Sequence, residues 1–149
     1  DEYSLHEGSG GAGQQRGGFG VNYKVRLRRG TARASMVMDH GRVGPQGVLG
    51  GEDGGVNQVR IERSNETYIP PHLSKDQGIP IEVGDTISVS TPGGGGYGPA
   101  WERNPALVQR DVQRGYYTSE QAVERFGVVF EEGKTDLNLE ATANLRTQE

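Results

Sequence analysis

The sequence predicts an α+β fold: a glycine-rich, mainly antiparallel β body followed by a short C-terminal helical hairpin. Three observations predict it. Apolar and polar residues alternate in several short runs before Pro92, the two-residue period of half-buried strands. Glycine supplies 25 of the 149 residues, more than twice its usual share, and punctuates that same region too densely for long helices. Helix-capping residues then cluster between Asn104 and Gly127.

The chain opens on a glycine-rich lead that contains Gly8-Ser9-Gly10-Gly11-Ala12-Gly13 and Arg16-Gly17-Gly18. Val21, Tyr23, Val25 and Leu27 then share one face, and Asn22, Lys24, Arg26 and Arg28 the other, which describes a strand with a wet, basic side. Arg29-Gly30-Thr31 reads as a turn, and Ala32 to Met38 as the return strand of a hairpin. A second glycine-rich loop runs from Asp39 to Gly55. Val56 to Arg63 resumes strand character and turns at Ser64-Asn65, and Pro70-Pro71 forbids regular pairing beyond it. Ile79 to Thr91 reads as strand, turn at Val83-Gly84-Asp85, and strand, cut off by Pro92 and four glycines.

Asn104 followed by Pro105 is a helix N-terminus, with Leu107, Val108 and Val112 as its apolar stripe and Gly115 as its end. Thr118-Ser119-Glu120-Gln121 is a capping box that opens a second helix, with Ala122, Val123 and Phe126 inward and Gly127 as the stop. Val128 to Phe130 is expected as a last strand. The organisation expected is a single β-rich domain over residues 1–131, its helical hairpin at about 104–127, and a polar C-terminal arm over residues 132–149.

Composition narrows the function. Lys and Arg total 16 against 20 Asp and Glu, a net charge of −4, whereas a nucleic-acid binder draws its affinity from a basic surface. No apolar run is long enough to cross a membrane. The chain has no cysteine, which excludes disulfides, thiolate zinc sites and cysteine nucleophiles. Hydrophobic residues make up 32%, enough for a modest core only.

Four segments could carry chemistry. Gly8 to Gly13 matches the dinucleotide-binding spacing, but that motif needs a helix N-terminus directly after it, and a strand follows here. The Gly93-Gly94-Gly95-Gly96 run either packs closely against another surface or presents its amides to an anion. Asp39-His40-Gly41-Arg42 sets a carboxylate, an imidazole and a guanidinium at a strand end; Arg42 suits an oxyanion, or else pins its loop through backbone carbonyls. Lys75 could contact a phosphate or carboxylate, or pair with Asp76. His6, His40 and His72 lack metal-site spacing and read as structural. The candidate substrate- or phosphate-binding residues are therefore Arg42, Lys75, Gly93, Gly94, Gly95 and Gly96. No catalytic residue and no metal ligand is assigned.

Several of these segments together resemble the C-terminal part of the hydantoinase B/oxoprolinase family. The resemblance runs from Gly8 to about Phe130. It rests on Ser9 to Gly13, Arg16-Gly17-Gly18 with Gly20, Arg42 with Pro45 and Gly47, Leu49-Gly50-Gly51 with Gly54, and Gly84-Asp85. It continues through Thr91 to Gly98, Arg103, Pro105, Asp111-Val112, Gly115 and Phe126-Gly127-Val128. The chain departs from the family pattern at Gln46, Asn104 and Phe126, as a subgroup would.

The resemblance implies one part of an ATP-dependent system that opens hydantoin, 5-oxoproline or lactam rings, or of a related ketone carboxylase. A non-catalytic structural module of such a complex is the further alternative. The implied partners are a hydantoinase A-like ATP-binding subunit and the N-terminal part of a hydantoinase B-like subunit, with a small-molecule substrate. ATP and a divalent metal would belong to those partners, and no cofactor is expected on this chain, which by itself would be inactive. It would be the last part of a hydantoinase B-like polypeptide, split or fragmentary, in the cytoplasm.

Overall fold

The computed structural model describes residues 2–147. Strands β1 (Glu2–His6), β2 (Gly20–Arg26), β3 (Ala32–Val37), β4 (Gln58–Glu62), β5 (Thr67–Tyr68), β6 (Lys75–Ile81) and β7 (Thr86–Ser90) precede a 3-10 turn at Ala100–Glu102. Helices α1 (Pro105–Gln113), α2 (Ser119–Phe126) and α3 (Leu139–Arg146) follow. The strands make a five-stranded antiparallel sheet in the order β1-β2-β7-β4-β5 and a separate two-stranded ribbon of β3 and β6. This is the α+β class expected.

The expected hairpin between the second and third strands does not form. Strand β2 is paired on both edges, with Tyr3 opposite Tyr23 on one side and Val89 opposite Tyr23 on the other. Leu27 and the turn at Gly84-Asp85 extend that pairing through two further backbone hydrogen bonds. No edge is left for β3, which crosses to the ribbon and pairs β6 instead. The lead also contains a strand that its glycines hide: β1 alternates Tyr3 and Leu5 with polar residues, yet both stay exposed. Sheet and ribbon bury one shared core of Met36, Val59, Ile61, Ile79, Ile81 and Val89.

Beside this body, residues 9–18, 44–55 and 92–98 thread together outside any strand. Gly11 N–H donates to the Gly94 carbonyl (2.9 Å), Gly94 N–H to Gly18 (2.9 Å), Gly96 N–H to Glu52 (2.8 Å) and Glu52 N–H to Ala12 (2.8 Å). The segments lie so close that side chains are excluded. A Cβ on Gly11 would fall on the Glu52 carbonyl, one on Gly17 on the Gly94 carbonyl, and one on Gly96 on the Ala12 carbonyl. Gly44 and Gly47 are close-packed in the same way, a Cβ on the first falling on the Gly54 carbonyl and one on the second on the Gly51 carbonyl.

The helices cover this glycine bundle. Ala12 joins Val108, Tyr117, Ala122, Phe126 and Val128 in a second core. Asn104 caps α1 by accepting from Ala106 N–H, and Thr118 and Gln121 form the reciprocal capping box on α2. Gly127 ends α2 at φ 59°, a left-handed conformation that glycine adopts without strain. A buried ion cluster locks helix to bundle. Asp111 on α1 accepts from Arg16 (2.8 Å) and from Arg103 (2.9 Å), and Arg103 also donates to the Gln14 carbonyl (3.1 Å). Burial alone would raise the Asp111 carboxyl, but the two guanidiniums outweigh it and hold the group below the ordinary carboxylate value.

Three local expectations need correction. Val123 faces outward, 36% exposed. Residues 128–130 form no strand, because only Phe130 bridges, to Leu137. The polar segment after Glu131 carries α3, which docks with a single buried residue, Thr142. Polar bonds hold it: Thr142 Oγ1 accepts from Val129 N–H (3.0 Å), and Arg146 donates to the Phe126 and Arg103 carbonyls (2.7 and 2.8 Å). Asp1, Gln148 and Glu149, the last two within the expected arm, lie outside the described residues.

Candidate functional site

Where the ribbon ends, two loops face each other. Strand β3 runs out at Val37 and continues as Met38 to Arg42; strand β6 begins at Lys75, just after His72-Leu73-Ser74. Met38 and Ser74 tie the loops: Met38 N–H donates to the Ser74 carbonyl (3.2 Å) and Ser74 Oγ to the Met38 carbonyl (2.8 Å). The result is an open cleft of about 430 Å³ lined by Asp39, His40, Arg42, His72, Ser74 and Lys75.

Its backbone is held in uncommon conformations. His40 sits at φ 60° and Leu73 at φ 59°, the left-handed region that a bulky residue occupies only under constraint. Leu73 centres a three-residue turn closed by Ser74 N–H donating to the His72 carbonyl (2.6 Å), the rarer and strained γ-turn form. Each such residue costs about 1–3 kcal/mol and persists where surrounding bonds over-determine it. Asn57 supplies those bonds: its N–H donates to the His40 carbonyl (2.8 Å) and its side-chain amide to the Asp39 carbonyl (3.4 Å). Asn57 is itself buried, and its Oδ1 has no partner among the described residues.

Two cations and one carboxylate line the cleft, and the carboxylate pairs with one of the cations. Lys75 Nζ lies 2.7 Å from Asp39 Oδ1, both groups largely in water, and this pairing holds the Asp39 carboxyl below its usual value. Asp76, the alternative partner read from the sequence, accepts from the Tyr68 hydroxyl instead. Arg42 is exposed and makes no ion pair or hydrogen bond among the described residues. His40 Nδ1 lies 3.0 Å from the Val43 carbonyl, which orients the ring. Such a cleft can receive an oxyanion: two cations and two imidazoles line it, and Asp39, weakly held, is the one acid in its lining.

The structure thus brings together Arg42, Lys75, His40, His72 and Asp39, which the sequence placed in two separate segments. Gly93 to Gly96 do not line the cleft. They lie inside the glycine bundle, with the amides of Gly94 and Gly96 already donating to carbonyls and a Cβ on Gly93 or Gly95 blocked by Ser9 or Gln46 backbone. His6 Nδ1–H donates to the Thr91 carbonyl (2.8 Å), far along the chain. Among the described residues, no three His, Asp or Glu side chains group in a way that could hold a metal ion, and no helix is long and apolar enough to cross a membrane. Sequence reasoning missed Asn57, whose only local sign is its place after the second glycine loop.

A model of the hydantoinase B/oxoprolinase family matches residues 1–100. The B component of a putative D-/L-hydantoinase from a Pseudomonas species is 33% identical over 147 residues, which cover 98% of this chain and 24% of that protein. Among solved structures, an ATP-dependent caprolactamase from Pseudomonas jessenii superposes with a TM-score of 0.76 at 28% identity, covering 98% of this chain and 25% of that one. An acetone carboxylase in its nucleotide-free form gives a TM-score of 0.77 at 18% identity, over 98% of this chain and 24% of that one; at this identity the likeness speaks for the fold. The chain therefore spans about a quarter of the length of each of these proteins. With two thirds of its residues inside the family's pattern and the fold shared end to end, the chain belongs to the hydantoinase B/oxoprolinase family.

Proposed function

We propose that this chain is one segment or subunit of a cytoplasmic, ATP-dependent cyclic-amide hydrolase. It would work with a hydantoinase A-like ATP-binding subunit and the N-terminal part of a hydantoinase B-like subunit to open a hydantoin, 5-oxoproline or lactam ring. The observation that carries this reading is the likeness to the caprolactamase, which combines 28% identity with near-complete coverage of this chain. ATP and a divalent cation are assigned to the partner polypeptides. Within the assembly, Arg42 and Lys75 are assigned to the substrate or a phosphate on it, because they line one cleft with only Asp39 to neutralise them. The Gly93–Gly96 loop is assigned to packing.

The test is to co-produce the chain with its A-like and B-like partners and measure ATP-dependent opening of caprolactam, hydantoin and 5-oxoproline. Ring opening that needs all components supports the reading; carboxylation of a ketone without ring opening replaces it with the carboxylase alternative. Arg42→Ala should lower kcat/KM at least about tenfold while the assembly stays intact. Unchanged kinetics would remove Arg42 from the site. That result would favour the second reading, a non-catalytic module, which the tightly interlocked glycine bundle independently supports.

A further inference from the structure

A second open cavity, of about 300 Å³, adjoins the cationic cleft. Gly41 lines both, and the wall between them is the contact of Gly41 with Leu73 and Ser74, so close that a Cβ on Gly41 would lie 2.7 Å from Ser74 Oγ. Val56, Val59, Ile69 and Leu73 make this cavity's lining largely apolar. Ile69 is 53% exposed and stands at its mouth. Both strained residues, His40 and Leu73, flank the shared wall, so the two halves are held at a fixed spacing.

We propose that cleft and cavity form one two-part site for a small carboxylate carried on a short apolar body. The carboxylate takes Arg42 and Lys75, displacing Asp39 from its ion pair, and the apolar body covers Leu73, Ile69 and Val56. The Asp39–Lys75 pair acts as an internal stopper that an incoming anion replaces at little cost, since exposed pairs hold weakly. The ligand's place in a reaction rests on the function proposed above: water adding across the C–N bond of a cyclic amide leaves a carboxylate on the former ring chain, and that end is the part this site fits, since no acid lines the cavity to pair the amine released at the other end.

The experiment titrates the 149-residue chain with hexanoate, acetate and inorganic phosphate at neutral pH and follows backbone amide resonances of Gly41, Arg42, Leu73 and Lys75. Hexanoate should bind at least about tenfold more tightly than acetate, because each methylene buried adds to affinity. Asp39→Asn should tighten hexanoate severalfold by freeing Lys75, and Arg42→Gln should weaken it. The gain on Asp39→Asn cannot come from misfolding, so it guards the loss seen with Arg42→Gln. Equal affinity for hexanoate and acetate, or no gain on Asp39→Asn, overturns the two-part site. A preference for phosphate over both carboxylates overturns it as well, in favour of a phosphate site. No ATP and no partner enters the titration. Selective hexanoate binding without ring opening by the assembly would therefore sink the hydrolase reading alone, and ring opening without that selectivity would sink the site alone.

Discussion

The glycine bundle and the two-sheet body solve the same problem with opposite materials. In the body, Ile61, Val59 and Val89 are buried by other side chains, so the core is apolar surface removed from water. In the bundle, Gly11, Gly17, Gly51 and Gly96 are packed against carbonyls of neighbouring segments, so the core is backbone bonded to backbone. The body draws on the chain's few apolar residues. The bundle needs none, which is how a chain with only 32% hydrophobic residues keeps an interior. The difference lies in tolerance. A side-chain core loses a methylene and relaxes in part, whereas a backbone core has no atom that can yield to an added methyl group.

Substitutions at matched positions should expose that contrast, beginning where it is widest. Gly96→Ala drives a methyl into the Ala12 carbonyl and should cost more than about 4 kcal/mol, leaving little folded protein by circular dichroism. A near-native melting curve would refute the backbone-packed core. Asp111→Ala leaves Arg16 and Arg103 buried without their carboxylate and should cost about 3–5 kcal/mol in urea unfolding.

The same cluster sets an acid limit. The folded Asp111 carboxyl titrates below its unfolded value of 3.8, so its stabilisation is complete above that value and is lost as pH falls through the lower folded value. Asp111→Asn should flatten the acid branch of the stability profile; an unchanged branch would assign acid sensitivity elsewhere. Ile61→Val, in the body, should cost only about 1 kcal/mol. The smallest effect sharpens the comparison most. Gly18 lies within the bundle's sequence but a Cβ there meets nothing within 4 Å, so Gly18→Ala should be neutral or stabilise by up to about 1 kcal/mol. A large loss at Gly18 would mean that glycine is required throughout for its flexibility and not for its missing Cβ.

The motif that carries the family resemblance takes on a physical meaning in this light. Ser9 to Gly13, Gly17, Gly47, Gly51, Gly54 and Gly93 to Gly96 are the bundle's contact points, and Arg16, Arg103 and Asp111 are its lock to α1. Most of that signature encodes an architecture. Arg42 is the member that faces a cleft, which is why it carries the chemical assignment.

Whatever depends on residues three or four apart was readable in advance. The Asn104 cap with Pro105, the Thr118–Gln121 capping box and the Gly127 stop all close bonds inside one helical turn, so their partners are neighbours in the chain. The alternation of β4 and β7 was readable for the same reason. The pairing of strands was not, because β2 finds β7 across a long stretch of intervening chain, and a hairpin with β3 fits the local sequence equally well; only the occupation of both β2 edges excludes it. Helix α3 was hidden because its docking uses Thr142 on the Val129 amide and Arg146 on the Phe126 carbonyl, which leave no apolar stripe to read. The cleft combines both cases. Asp39, Arg42 and Lys75 were visible as chemistry, but their convergence required β3 and β6 to pair, and Asn57 became part of the site only because the fold carries it beneath His40. Local bonds are written in local sequence; the choice among distant partners belongs to the competition for edges and buried volume, which only the folded chain resolves.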